Sequence, residues 1–429
     1  MSDVIEIPVV TGPLRATIRP PGSKSLTNRA LVCAALAQGE SLLTGALASD
    51  DTEAMLDCLA KLGIDVEVGD EGRTLRVAGQ GGRIPAKRAD LFVGNSGTTI
   101  RFVAAMTALG EGVYRLDGVP RMRERPIGDL VDALNQLGSQ VSCELNAGYP
   151  PLVVEANQLR GGRATVAGNA SSQFLSGLLM AIPCATGPAE LIVDGPLVSQ
   201  PYVRMTLAVQ QAFGVDIEAA DDMRSFRTDG GRTYIGQTYE IEPDASAASY
   251  FWAAAAIAGG EVTVQGLTSR SLQGDVRFVR VLEQMGCLVR ESDTGITVVG
   301  GPLRGVDVDM NDISDTVQTL AAVALFAEGP TRVTGVAHNR LKETDRIAAL
   351  ATELRKLGAE VEEFDDGLRI VPCPLHGARL KTYDDHRMAM SLSLTGLSIP
   401  AVEIEDPGCT AKTYPGYFGD LEKVCQTST

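Results

Sequence analysis

A short pattern, Leu-x-x-apolar-Gly, recurs along the chain as Leu59 to Gly63, Leu134 to Gly138, Leu282 to Gly286 and Leu354 to Gly358, with a weaker copy at Gln210 to Gly214. The glycines at 63, 138, 214, 286 and 358 are 75, 76, 72 and 72 residues apart, and a degenerate copy, Leu421 to Cys425, follows after 67. Glycine stops a helix because the position just past the last turn favours left-handed backbone. A constant spacing of such stops means one supersecondary unit used again and again.

Each stop is followed by alternating apolar residues that read as a strand, at Ile64 to Val68, Val141 to Cys143, Val215 to Ile217, Val289 and Val361. About 30 residues past each glycine, a small polar cluster opens a second, very apolar helix. The openings are Asn95, Asn169, Asp244, Asp312 and Asp385, and Ser23 supplies the sixth. Helices apolar nearly all round belong inside a fold, whereas the other helix of each unit, as in Asp50 to Leu62, carries charge and belongs nearer the surface. A chain of 429 residues exceeds one ordinary core. Six units therefore point to two α/β domains of three units each, with joins at Pro20-Pro21-Gly22 and Glu242-Pro243. The first unit is then split, so residues 1–21 join 243–429 and the other domain is 22–242. The alternative is a single solenoid, which requires polar caps at both ends.

The net charge of -16 argues against nucleic acid or an anionic membrane as partner. Any anion must be held by a local basic cluster in an acidic body. Eight cysteines are scattered with no Cys-x-x-Cys, and the three histidines, His338, His376 and His386, build no zinc spacing. Free thiols suit a reducing cytosol. Asp3 and Glu6 near the start, with no basic-then-apolar run, predict no signal peptide. The longest apolar run, Tyr250 to Ala258, is far shorter than a membrane span. No Gly-x-Gly-x-x-Gly follows a strand, so no dinucleotide is expected.

The openings of the apolar helices suit anions. Pro21 to Arg29 (PGSKSLTNR) places Ser23 as N-cap, Ser25 and Arg29 on one helix face, and Lys24 in the first turn. A cation is misplaced at that positive end of the helix dipole unless an anion binds there. Gly94 to Thr99 (GNSGTT) exposes backbone N–H groups, and Ser171, Ser172 and Gln173 form a run of donors at another opening. Lys24, Arg29, Arg101, Arg387 and Lys412 gather at or near these starts, Lys342 and Arg346 are four apart on one helix face in KETDR, and Arg121 to Arg125 is a basic loop. Among the cations lie candidate acid–base groups: Asp315, Glu343 beside Lys342, and Asp385-His386. Taken singly, each carboxylate is as well explained as a helix-dipole partner.

These stretches resemble the enolpyruvyl transferases that act on shikimate 3-phosphate, the enolpyruvylshikimate-phosphate synthase family. The resemblance runs the full length through PGSKSLTNRA, GNSGTTIRF, PRMRERPIGDLVDAL, SSQF, SQPY, DASAASYF, KETDRI, DHRMAM and DPGCTAKTYP. It implies two similar domains, each of three β-α-β-α-β-β units with buried parallel helices and outward-facing sheets, an inside-out α/β barrel with the active site in the cleft between domains. It implies transfer of the carboxyvinyl group of phosphoenolpyruvate to shikimate 3-phosphate, a step of aromatic amino-acid biosynthesis, by a cytoplasmic monomer that needs no metal or cofactor.

By resemblance, Lys24, Ser25, Arg29, Ser171, Ser172, Gln173, Ser199, Tyr202, Asp315, His338 and Lys342 would hold shikimate 3-phosphate. Phosphoenolpyruvate would be held by Lys24, Asn95, Gly97, Thr98, Arg125, Gln173, Arg346, His386, Arg387 and Lys412. Asp315, Glu343 and Lys24 would carry the catalysis, the two carboxylates moving protons. The chain departs from the family at His338, where many members have Asn, and at Phe102, where many have Pro, close to Gly97 and hence to the fit of the family's inhibitor glyphosate. The related transferase acting on UDP-N-acetylglucosamine uses a loop Cys where this chain has Arg121 to Arg125. A non-catalytic phosphate-binding protein would need the cations but not Asp315 and Glu343 among them.

Overall fold

The structure, a computed structural model, describes residues 3–169 and 171–426. The chain divides into two compact units, Gly22–Ile241 and a second made of Met1–Pro21 with Glu242–Thr429. Each unit has its own apolar core.

The repeated glycines behave as helix stops. Gly63, Gly138, Gly214, Gly286 and Gly358 all have positive φ, between 80° and 114°. In every case the next residue donates its N–H back to the first residue of the motif: Ile64 to Leu59, Ser139 to Leu134, Val215 to Gln210, Cys287 to Leu282 and Ala359 to Leu354. This is the six-to-one bond of a helix terminated by a left-handed residue. It also corrects two expected strands. Ile64 and Val215 are spent on capping, so the strands run Val66–Gly69 and Glu218–Ala219 rather than Ile64 to Val68 and Val215 to Ile217. The copy at Leu421 to Cys425 has no stop inside it, because helix Tyr417–Gln426 runs through.

The sheets share one plan. In Gly22–Ile241, Arg88–Phe92 runs parallel to Glu111–Asp117, which pairs antiparallel with Leu152–Asn157 and then Gln140–Cys143. Gly162–Ala167, Ala189–Asp194, Ser225–Thr228 and Glu218–Ala219 repeat that order. The remaining sheet centres on Ala37–Thr44 and Thr74–Gln80, and takes its parallel strands, Tyr234–Ile235 and Thr238–Glu240, from the far end of the unit's sequence. The second unit borrows across the chain in the same way. Leu14–Ile18 lies parallel to Gly260–Gln265, and Val4–Ile7 lies antiparallel to Val402–Glu405.

Where parallel partners are close in sequence, a buried helix runs between them. Every residue of Gly97–Thr107, Val317–Ala324 and His386–Ser393 is buried, as is all of Lys24–Leu36 from Leu26 onward. Strands such as Arg88–Phe92 alternate exposed and buried residues, so one sheet face packs on the helices and the other meets water. Among the described residues, no helix is long and apolar enough to cross a membrane.

Candidate active site

In Gly22–Ile241 the helix start at Lys24 is capped by Ser23, whose hydroxyl accepts from Leu26 N at 3.5 Å. Lys24 Nζ lies 3.1 Å from the buried Asp51 Oδ2, which answers the misplaced charge. Arg29 is fully buried. Its Nε donates to Thr206 Oγ1 at 2.7 Å, Nη1 to Ser25 O at 2.9 Å, and Nη2 to Ser176 Oγ and Tyr202 O at 3.2 Å each. Phe102 lies under this guanidinium, 5.2 Å from ring centroid to Cζ. Burial pulls Arg29 down to about 10, so it remains a cation at neutral pH.

In the basic loop, Arg125 donates to Asn95 O on the Gly94 to Thr99 turn at 3.2 Å. Arg123 is turned onto Asp117 at 2.7 and 2.9 Å, and Arg121 onto the exposed Glu124 at 2.8 Å. At Gly97 any added side chain would displace two guanidinium groups. A Cβ there would sit 2.5 Å from Arg125 Nη2 and 3.1 Å from Arg101 Nη1. Thr98 Oγ1 accepts from Asn28 Nδ2 at 2.9 Å, which ties this helix start to that of Lys24–Leu36. Arg101 donates to Gln173 Oε1, and Ser171 caps the helix that Ser172 begins. Ser199, left-handed at φ 53°, precedes helix Gln200–Ala212, which carries Tyr202.

In the second unit Asp315 is the centre. Its Oδ1 accepts from Lys342 Nζ at 2.5 Å and Arg346 Nη1 at 3.2 Å, and its Oδ2 from Arg387 Nη2 at 2.8 Å. Arg346 also holds Glu343 at 2.9 Å and Asp385 at 2.8 Å. Burial would raise the Asp315 carboxyl, but Arg387, Lys342 and Arg346 overcome it and hold it well below the usual carboxylate range. Burial also opposes the Arg346 charge, which Asp385, Glu343 and Asp315 more than restore. His338, buried in the turn Ala337–Leu341, is pushed down to about 3 by burial and by the Lys342 cation, so its imidazole is neutral. His386 and Lys412 are also buried, His386 with Nδ1 3.7 Å from Asp385 Oδ1.

A family model for EPSP synthase (3-phosphoshikimate 1-carboxyvinyltransferase) matches residues 9–421. The chain belongs to the EPSP synthase family. It is 53% identical to the 3-phosphoshikimate 1-carboxyvinyltransferase of Nostoc punctiforme over 97% of this chain and 98% of that one. It is 48% identical to the chloroplastic enzyme of that name from Arabidopsis thaliana, over 97% of this chain and 84% of that one. Its fold matches a solved EPSP synthase from Acinetobacter baumannii with a TM-score of 0.81 at 25% identity, covering 98% of each chain.

Within this EPSP synthase family member, two expected placements are corrected. Lys342 and Arg346 do not share a helix face, because Asp345 caps a helix that begins at Arg346. They converge because the turn before the cap directs Lys342 onto the same carboxylate. Asp312 does not open the apolar helix, which starts at Val317 after the turn Asn311–Thr316, and Asp312 instead pairs with Arg277 at 3.2 Å. Asp315 is thereby freed from capping. Two site residues escaped the sequence reading. Asp51 reads as an ordinary acidic first-turn residue, and Tyr250, whose hydroxyl lies 3.4 Å from Arg387 Nη1, reads as core. For Tyr250 a hydroxyl inside an alanine-rich buried helix was the available signal.

Proposed function

We propose that this chain transfers the carboxyvinyl group of phosphoenolpyruvate to the 5-hydroxyl of shikimate 3-phosphate and releases phosphate. The activity for which its relatives are named, matched over nearly the whole chain, supports the reading. The observation that carries it is Asp315, a partly buried carboxylate ringed by Lys342, Arg346 and Arg387 with Glu343 on the same arginine. A protein that only bound phosphate would gain nothing from burying carboxylates against its cations, since each cancels a charge the ligand needs.

The chemistry asks for two proton movements. The attacking hydroxyl loses a proton as its oxygen bonds the enol carbon, and the methylene gains one. The tetrahedral adduct then expels phosphate and gives back the methyl proton. We assign the hydroxyl proton to Asp315 and the methylene proton to Glu343. In the ligand-free arrangement Asp315 is a weak base, because its cations hold it far down. Ligand phosphate and carboxylate groups compete for Lys342 and Arg387, and as those cations turn to the ligands the Asp315 carboxyl rises toward a useful value. Lys24, Arg125, Arg346, Arg387 and Lys412 then neutralise phosphoenolpyruvate, while Ser171, Gln173, Tyr202 and Lys342 hold shikimate 3-phosphate. His338, being neutral, serves a ligand hydroxyl as an amide would.

The finer architecture belongs to the same reading: two domains of three units, with three buried helices parallel within each domain and the sheets facing outward. The free thiols suit a reducing cytosol, and we take the working form to be a monomer. Phosphate release is the test. It should require both substrates together. Release with phosphoenolpyruvate alone, or with UDP-N-acetylglucosamine as acceptor, would overturn the assignment.

A further inference from the structure

Helix Arg346–Lys356 bears a second buried carboxylate that the chemistry above does not use. Glu353 lies seven residues after Arg346 and is fully buried. Its Oε1 accepts from Tyr383 Oη at 2.6 Å, and its Oε2 accepts from Lys381 N at 2.9 Å and from Lys356 Nζ at 2.6 Å. The turn it grips is strained. Tyr383 and Asp384 are consecutive non-glycine residues in the left-handed region, with φ of 57° and 54°. Such residues persist only where their surroundings over-determine them.

The turn leads directly into the site. Asp385 N donates to Thr382 O at 3.0 Å, closing the turn. Asp385 then caps helix His386–Ser393 by accepting from Arg387 N at 2.9 Å, and takes Arg346 Nε at 2.8 Å. One helix therefore holds the turn at two points, Arg346 on Asp385 at one end and Glu353 on Lys381 and Tyr383 at the other. Burial and the Glu353 carboxylate push the Tyr383 phenol up, so it stays a donor at all working pH values.

We propose that Glu353 and Tyr383 form a strut that keeps the Tyr383-Asp384 turn left-handed and so sets where Arg387 points, making both of them positioning residues for the phosphoenolpyruvate end of the site. The inference rests on the assignment of Arg387 to phosphoenolpyruvate made above. It has a specific consequence. Loosening the strut lets the start of helix His386–Ser393 shift, which moves Arg387 while leaving Ser171, Gln173 and Tyr202, which lie in the other unit, untouched.

Tyr383→Phe removes only the hydroxyl from a ring that is 39% exposed, so the fold is kept. The expected result is a KM for phosphoenolpyruvate raised about tenfold, a KM for shikimate 3-phosphate within about twofold of the parent, and an unchanged Tm. Adding Asp384→Gly to Tyr383→Phe removes the steric penalty at one left-handed position, so it should bring the KM back toward the parent value. Glu353→Gln, which keeps an acceptor but loses the charge, should fall between parent and Tyr383→Phe. Arg387→Lys serves as the control. If it raises the KM for phosphoenolpyruvate and Tyr383→Phe does not, the strut is wrong and the role of Arg387 stands. If Arg387→Lys also leaves that KM unchanged, the assignment of Arg387 itself falls. An equal rise in both KM values, or a Tm loss with no rescue by Asp384→Gly, makes the contact purely structural and overturns the proposal.

Discussion

The two units hold their cations by different means. In Gly22–Ile241, Arg29 donates to hydroxyls and backbone carbonyls, Arg125 to Asn95 and Arg101 to Gln173. Neutral oxygens orient a guanidinium without cancelling its charge. In the other unit Lys342, Arg346 and Arg387 each meet the partly buried Asp315, and Arg346 meets Glu343 and Asp385 as well. The first arrangement leaves the charge of Arg29 in place. The second is already compensated, so a ligand anion enters only by exchange with Asp315. That exchange ties binding to basicity, because the cations that leave Asp315 are the groups that made it a poor base.

The sharpest way to break this comparison is Asp315→Asn. The amide keeps the shape and still accepts through its carbonyl but cannot take a proton. If Asp315 is a base, turnover should fall by about 10²- to 10⁴-fold. Shikimate 3-phosphate should still bind, by calorimetry no more weakly than to the parent, since Lys342 is freed rather than lost. If Asp315 merely compensates its neighbours, the rate falls less than about tenfold and Glu343 becomes the leading base.

The sequence disclosed most where one local interaction decides the outcome. A helix that stops at a left-handed residue needs Gly, so Gly63 through Gly358 could be placed from spacing alone. The residue after each Gly was misread at Ile64 and Val215, because a capping hydrogen bond looks apolar and strand-like in one dimension. The convergence on Asp315 was not legible. Lys342 and Arg387 come from a turn and a helix start whose relation depends on sheet order, and the strain at Tyr383-Asp384 leaves no mark in composition.

Lys24 is where the two arrangements meet, since within Gly22–Ile241 it faces a carboxylate, Asp51 at 3.1 Å. Lys24→Met should cut turnover on the order of a hundredfold if the ammonium stabilises charge on phosphoenolpyruvate. It also removes the ammonium beside a buried Asp51, a loss of stability that a melting curve will register. Adding Asp51→Asn separates the effects. Stability should return and turnover should not. Recovery of turnover in the double variant would mean that Lys24 serves only Asp51.

The smallest effect concerns His338, which stands where many family members carry Asn. Its imidazole is pushed down to about 3 from an ordinary 6.5, first by burial and then by Lys342, with Asp315 acting weakly in the opposite sense. The folded chain therefore keeps it neutral while the unfolded chain takes up a proton below pH 6.5. Stability from this group is fully present above that value and is lost as the pH falls toward 3, because over that window the unfolded state binds the extra proton. Asp315 does not confuse the window, since its carboxyl stays ionised well below the usual range. Asn does not titrate. At pH 7.5 His338→Asn should change Tm and turnover little, both side chains being neutral and able to donate to a ligand hydroxyl. At pH 5 the variant should gain about 2 kcal/mol over the parent, a rise of a few degrees in Tm. Parallel melting curves for the two proteins from pH 7.5 to pH 5 would show that His338 is charged in the fold, and the neutral ring would then be lost as the reason His can stand where the family carries an amide.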